Sequence, residues 1–170
     1  PNDGCAGALA IGIGETRFQT FSATDSGVEM GCVFAGERSD LWFSYTASSD
    51  SPLTIDLSGS SYDTGAAVWT GECGALTQVG CNDDGGDGLT SRLSFTASAG
   101  TTYYLQVGGW DGDSGDGVIT ISEDSVELVC AGNTNSTGVG AVLEFSGSLS
   151  VSVNSLTLTL SDLPQNQGVL

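Results

Sequence analysis

The feature that most constrains this chain is a series of short runs in which apolar and polar residues alternate. Six runs precede residue 123: LWFSYTA (41–47), LTIDLSGS (53–60), AAVWT (66–70), RLSFTASA (92–99), TYYLQVGG (102–109) and GVITIS (117–122). A period of two places successive side chains on opposite faces of a strand. Clusters of glycine, serine, asparagine and aspartate separate the runs as turns. The pattern predicts an all-β fold, an antiparallel β-sandwich of the jelly-roll type.

The segment SFTASAGTTYYLQVGG predicts a β-hairpin that turns at Ala99-Gly100. Its alternation assigns Leu93, Phe95 and Ala97 to one face of the first strand. Aromatic residues in such runs are usually core residues, so we interpret them as core and not as a ligand platform. The aromatic residues concerned are Trp42, Phe43, Trp69, Phe95, Tyr103 and Tyr104.

The cysteines predict disulfide bonds and a secreted or cell-surface protein. Cys5, Cys32, Cys73, Cys81 and Cys130 form no C-x-x-C pair, and the chain has no histidine, so a zinc site is not expected. Disulfides are typical of extracellular proteins. Cys73 and Cys81 flank the short segment GALTQVG, which favours a bond between them and leaves Cys5 with Cys32. Each bond should add roughly 2–4 kcal/mol of stability. Cys130 is then unpaired.

The charge excludes several classes of function. The chain has 21 acidic and 3 basic residues and a net charge of −18. It should therefore repel nucleic acids and anionic membranes, and it has no apolar run that predicts insertion into a membrane. With no recognisable signal peptide either, it is expected to be a mature, soluble chain. Lack of histidine removes the usual general base. Two carboxylates suffice for a glycosidase, but no pair stands out, so the chain is not expected to be an enzyme.

Two acidic loops are candidate calcium sites. The first contains Asp111, Asp113 and Asp116. The second contains Asn82, Asp83, Asp84 and Asp87. Calcium takes six to eight oxygen ligands, which flexible loops of this composition supply. Both loops flank the predicted hairpin, so they should emerge at the same end of the sandwich. Aspartate and glycine are also what tight turns prefer, and neither loop matches a complete EF-hand loop, so ordinary turn chemistry and solubility remain the alternative.

Four segments in order resemble the bacterial pre-peptidase C-terminal (PPC) domain family, in the variants found in secreted proteins of planctomycete-type bacteria. They are NDGCAGA, SDLWFSYTA, SSYDTGAAVWTG and CNDDGGDGLTSRLSFTASAGTTYYLQVGGWDGDSGDGVITI. The resemblance covers about residues 1–122. It implies a β-sandwich accessory module of secreted peptidases and surface proteins, without catalysis of its own. Some members of that family, including collagen-binding ones, bind calcium.

The sequence after the predicted sandwich of residues 1–124 resembles the opening of a second β module. A linker at 125–140 precedes a strand-rich tail at 141–170, with strands predicted at 141–148 and 149–160. The second strand carries a row of apolar residues: Leu149, Val151, Val153, Leu156, Leu158 and Leu160. The linker also contains Cys130 and a glycosylation sequon at Asn135.

The tail has three interpretations. It adds strands to its own sandwich, it is part of a second domain, or it pairs with a sheet of a neighbouring molecule. Head-to-tail strand donation does not close, so the third makes a filament, in which Cys130 is a candidate crosslink between copies. We expect first a subunit of a secreted or cell-surface filament that is assembled with copies of itself. The alternative is a monomeric calcium-binding accessory module that binds collagen-like protein or polysaccharide beside a secreted enzyme.

Overall fold

The computed structural model describes residues 2–33 and 39–123, together with the backbone of residues 142–146 and 157–161. The chain divides into two compact units, Pro1–Asp124 and Ser125–Leu170. Within the described residues, the helical segments are two single 3-10 turns, Cys5–Gly7 and Trp110–Gly112. No helix in this part of the chain has the length and apolar character needed to span a membrane.

The first unit is an antiparallel β-sandwich, as the sequence predicts. Its strands in the described residues are β1 (Leu9–Ala10), β2 (Gly14–Gln19), β3 (Leu41–Thr46), β4 (Ser51–Asp56), β5 (Thr64–Glu72), β6 (Ala75–Asn82), β7 (Arg92–Ala97), β8 (Thr102–Gly109) and β9 (Asp116–Glu123). One sheet has the order β1-β3-β8-β5-β6 and the other β2-β9-β4-β7. All neighbours pair antiparallel except β1 and β3.

The core lies between the two sheets and follows the alternation of the sequence. Every second side chain of a strand points inward, as Phe43 and Tyr45 do on β3. Opposite them, Ile119 and Ile121 of β9 are fully buried. Burial of each large apolar side chain contributes about 1.5–3 kcal/mol. The other core residues are Leu41, Ala47, Leu53, Ile55, Leu57, Ala66, Val68, Ala97, Tyr103, Leu105 and Val107.

A second apolar cluster covers the outer face of the five-stranded sheet. Trp42 and Trp69 lie there, with ring centroids 6.5 Å apart, and Met30 and Val33 of the N-terminal segment pack over them. The fully buried Asp40 fastens this layer. Its carboxylate accepts hydrogen bonds from Trp42 Nε1 (3.1 Å), Gln106 Nε2 (2.6 Å), and the backbone nitrogen and hydroxyl of Ser26. The sandwich therefore buries aromatic residues on both faces of one sheet.

The prediction that residues 94–109 form a hairpin is wrong. The alternation in this segment is as predicted, and the rings of Phe95 and Tyr103 lie 4.8 Å apart. However, β7 belongs to the four-stranded sheet and β8 to the five-stranded sheet, so residues 98–101 cross between the sheets. Alternation shows which residues face the core. It does not show whether two strands are hydrogen-bonded neighbours or face each other across the core.

The predicted disulfide pairing is also wrong, although all four cysteines are bonded. The bonds join Cys5 to Cys73 and Cys32 to Cys81, with Cα–Cα distances of 5.6 and 5.9 Å. The segment GALTQVG is not a closed loop but most of β6. An extended strand rises about 3.3 Å per residue, so it separates Cys73 from Cys81 by far more than a disulfide spans. Both bonds instead attach the N-terminal segment to the β5–β6 hairpin.

In the second unit, β10 (Val142–Ser146) and β11 (Thr157–Ser161) form a two-stranded antiparallel sheet. Leu143 pairs with Leu160, and Phe145 pairs with Leu158. Cys130 and the sequon at Asn135 lie outside the described residues. So do four residues of the predicted assembly strand: Leu149, Val151, Val153 and Leu156.

Candidate functional site

The strand order brings the two acidic loops to one end of the sandwich. β5 pairs antiparallel with β6 on one side and with β8 on the other. The start of β5 therefore lies beside the ends of both neighbours, where Ala66 pairs with Asn82 and Thr64 pairs with Gly109. The loops that follow β6 and β8 leave the sheet there. Asp63, which immediately precedes β5, lies between them.

Three carboxylates converge at this position. Among the described residues, Asp63, Asp83 and Asp84 form a group in which one ligand oxygen of each lies within 4.8 Å of the others. Asp63 is also linked to the loop after β8. Its backbone nitrogen donates a 3.1 Å hydrogen bond to Asp113 Oδ2, and its carbonyl accepts one of 3.1 Å from Trp110 N. Both acidic loops therefore contact the same residue.

Two oxygens of this group are buried without a hydrogen-bond donor. Asp63 Oδ1 and Asp83 Oδ1 have no partner among the described atoms, although buried polar atoms are usually paired. Burial raises the pKa of Asp63, and the nearby charges of Asp84 and Asp113 raise it further. Burial likewise raises the pKa of Asp83, followed by the charges of Asp84 and Asp63. The ion pairs described in this part of the chain, Arg17–Glu15 and Arg92–Asp56, do not neutralise the group.

The arrangement suits a hard divalent cation. Oxygens that bind one calcium ion at 2.3–2.6 Å lie at most about 5 Å from one another. The three carboxylates meet that limit. Asp63 Oδ1 and Asp83 Oδ1 accept no hydrogen bond, so both oxygens are free to act as ligands. A cation would also offset the mutual repulsion of the carboxylates, which costs more where water is partly excluded. Asp63, Asp83 and Asp84 are therefore the residues that would hold calcium.

The structure does not gather the three aspartates of the first predicted loop into one group. Asp113 bonds to Asp63 N and, through Oδ1, to Ser114 N at 3.0 Å. Asp116 Oδ1 accepts a 2.7 Å hydrogen bond from Gln19 Nε2. Asp111 is exposed and has φ 46°, the left-handed region that aspartate tolerates in tight turns. Of these three aspartates, only Asp113 contacts a member of the cluster formed by Asp63, Asp83 and Asp84, through the backbone nitrogen of Asp63.

In the second predicted loop, two of the four predicted residues are candidate ligands and the other two are not. Asn82 Oδ1 accepts hydrogen bonds from Gly85 N (2.7 Å) and Arg92 N (2.9 Å), so it shapes the loop. Asp87 is exposed, and its backbone nitrogen donates to Ser58 Oγ at 3.2 Å. Asp83 and Asp84 remain as the members that join the group.

Sequence reasoning did not identify Asp63, the residue that unites the two loops. It lies in SSYDTG, which reads as an ordinary turn between strands. The available signal was its place directly before a strand whose two neighbours both end in acidic loops. Using that signal requires the strand order β6-β5-β8, and local alternation does not contain it.

No protein-family model matches the chain, and no curated protein matches it. Several solved structures match the chain, and two of them are as follows. One is the pre-peptidase C-terminal domain of a collagenase from Bacillus anthracis: 14% identity, 68% of this chain, 94% of that chain, TM-score 0.48. The other is PliG, a periplasmic inhibitor of g-type lysozyme from Aeromonas hydrophila: 14% identity, 69% and 97% coverage, TM-score 0.44. The first carries the family name that the sequence resemblance of residues 1–122 suggested, while the planctomycete-type variant stays a prediction.

Proposed function

We propose that this protein is a non-catalytic, calcium-binding β-sandwich module. The observation that carries the proposal is the group of Asp63, Asp83 and Asp84, with two buried carboxylate oxygens that receive no hydrogen bond. Calcium bound there would join the start of β5 to the loop after β6, and through Asp113 to the loop after β8. The metal would stabilise the fold and fix the loops, and it would take part in no reaction.

Two features of the chain support a non-catalytic role outside the cytosol. The sequence has no histidine, so acid–base and nucleophilic arrangements that depend on an imidazole are absent from it. The disulfides Cys5–Cys73 and Cys32–Cys81 suit an extracellular, secreted or cell-surface location, because the cytosol keeps thiols reduced. We therefore propose an extracellular module whose work is binding or stabilisation.

Calcium titration of the purified chain, followed by calorimetry and thermal unfolding, tests the proposal. Calcium should raise the Tm and EDTA should reverse the rise, because a ligand that binds only the folded state stabilises it by about 2.7 kcal/mol at a concentration of 100 Kd. Asp63→Asn and Asp83→Asn should abolish most of this response. Glu72→Gln is the control, since Glu72 is an exposed carboxylate at the opposite end of β5. An unchanged calcium response in both aspartate variants would contradict the assignment.

Self-assembly through the tail is a second candidate function. The observation that favours it is the β10–β11 sheet, which has only two strands among the described residues of the second unit. A two-stranded ribbon is marginally stable alone, and open edges are templates for pairing with another chain. Electron microscopy of the full chain at micromolar concentration should then show filaments, and a chain that lacks residues 138–170 should stay monomeric. Filaments of the truncated chain would contradict this role of the tail.

A further inference from the structure

The end of the sandwich that carries the acidic group also displays exposed apolar side chains. We call it the loop end, formed by residues 20–23, 57–63, 83–91 and 110–115. Six large apolar side chains are well exposed among the described residues, and three of them lie here: Phe21 (63%), Leu89 (59%) and Trp110 (37%). Several exposed apolar side chains that lie together at one end of a domain indicate an interaction site.

Trp110 and Leu89 are held on either side of the start of β5. Trp110 N donates to the Asp63 carbonyl, and Thr64 N donates to the Leu89 carbonyl, each at 3.1 Å. The backbone that carries both exposed side chains is therefore hydrogen-bonded to the start of β5. Binding loses less conformational entropy when the anchor residues are already positioned.

Phe21 is fastened to the same loops. It follows Thr20, whose backbone nitrogen donates to the Gly115 carbonyl at 3.1 Å. The Thr20 hydroxyl accepts a 3.0 Å hydrogen bond from Gly115 N in return. The segment after β2 is thus joined to the turn that carries Trp110, and the three apolar side chains belong to one loop assembly.

The charge around these side chains is strongly negative. The loop end and the first residue of β9 carry Asp63, Asp83, Asp84, Asp87, Asp111, Asp113 and Asp116. The described cation nearest in sequence to these loops is Arg92, and it pairs with Asp56 at 3.5 Å. The chain has no lysine. Apolar anchors within such a field favour a partner that combines positive charge with aliphatic length.

We propose that the loop end is a docking surface for a cationic, lysine- and arginine-rich segment of another protein. Trp110 is the anchor: its indole face receives an arginine or lysine side chain by cation–π contact, while Leu89 and Phe21 pack on the aliphatic stems. The surrounding aspartates attract and orient the partner. Tryptophan and arginine are the residues that most often dominate interface energy, which suits this pairing.

The inference concerns the same end as the proposed calcium site, but it does not require the metal. Calcium on Asp63, Asp83 and Asp84 would leave Asp87, Asp111 and Trp110 exposed. Docking should therefore persist in calcium, with affinity lowered by the reduced negative charge. Binding measured in EDTA and in calcium separates failure of the docking proposal from failure of the calcium proposal.

The probe is a lysine- and arginine-rich peptide of 12 residues, compared with glutamate-rich and serine–glycine peptides of equal length. Trp42 and Trp69 are buried, so changes in the tryptophan emission of the unsubstituted protein on binding should come from Trp110. Because Trp110→Ala removes this signal, the affinities of all variants are measured by calorimetry. Trp110→Ala should weaken binding of the cationic peptide at least tenfold, with an unchanged Tm. Val79→Ala is the matched control, because Val79 is 41% exposed and lies on β6 outside the loop end. Its affinity should stay within twofold of the unsubstituted protein.

Three results would overturn the proposal. Equal affinities of Trp110→Ala, Val79→Ala and the unsubstituted protein would show that the peptide binds by charge alone. Equal binding of the serine–glycine peptide would remove the cationic partner. Binding of a neutral oligosaccharide that depends on Trp110, without binding of the cationic peptide, would assign the surface to glycans instead. Leu89→Ala gives a second test, and it should weaken the cationic peptide about threefold or more.

Discussion

The disulfide connectivity leads to a quantitative prediction about stability. Cys32 and Cys81 are 49 residues apart in sequence, and Cys5 and Cys73 are 68 apart. In the chain-entropy model, closing loops of these lengths stabilises the folded state by about 4 kcal/mol for either bond. Replacing Cys32 and Cys81 together with alanine should therefore cost about 4 kcal/mol. The pairing first expected from the sequence, with Cys73 bonded to Cys81, would close a much shorter loop worth about 2.5 kcal/mol.

Urea unfolding of the unsubstituted protein and the double variants measures this cost. Cys5→Ala/Cys73→Ala removes one bond and keeps the other, so it should show no more free thiols than the unsubstituted protein. Cys73→Ala/Cys81→Ala breaks both bonds and leaves Cys5 and Cys32 as thiols. It should therefore show two additional thiols and the larger loss of stability. Peptide mapping of the non-reduced protein checks the partners directly.

The opposite thiol counts would refute the reasoning. If Cys5→Ala/Cys73→Ala exposed two new thiols while Cys73→Ala/Cys81→Ala exposed none, the pairing would be the sequential one. A loss below about 1 kcal/mol for Cys32→Ala/Cys81→Ala would refute the loop-closure account of the magnitude. The connectivity itself would then still be decided by the peptide map.

Three further predictions concern pH, a buried carboxylate and a glycine. Because the pKa values of Asp63 and Asp83 are raised, the folded protein without calcium binds protons at higher pH than the unfolded chain. Their contribution to stability should therefore fall as pH rises through those pKa values, and calcium affinity should fall as pH drops through them; pH-independent calorimetric titrations would contradict this. Asp40→Ala leaves the buried donors of Trp42 and Gln106 unpaired and should lower the free energy of unfolding in urea by about 2–4 kcal/mol. A decrease of less than about 0.5 kcal/mol would show that Asp40 does not stabilise this layer. Gly117→Ala would place a Cβ 2.1 Å from the ring of Phe18 and should lower stability by about 1–3 kcal/mol; an unchanged Tm would show that the ring moves freely.

The sequence could reveal the features of the fold that depend only on neighbouring residues. The alternation that assigns Leu93, Phe95 and Ala97 to one face is reproduced in the structure, because side-chain direction in a strand depends only on neighbouring residues. The strand Ala75–Asn82 was missed because GALTQVG, between two cysteines, resembles a closed loop. The partner of each cysteine could not follow from spacing, since it depends on where the N-terminal segment crosses the sheet.

The candidate site shows the same division. Composition alone identifies a strongly acidic chain without histidine, and the loop sequences alone identify Asp83, Asp84 and Asp113 as candidate ligands. Only the tertiary structure brings Asp63 to them, because β5 lies between β6 and β8 and its start meets their ends. Residue types and their alternation are local and are written in the sequence. Which loops share one end of the sandwich depends on strand order, and strand order is set by packing between residues far apart in the chain.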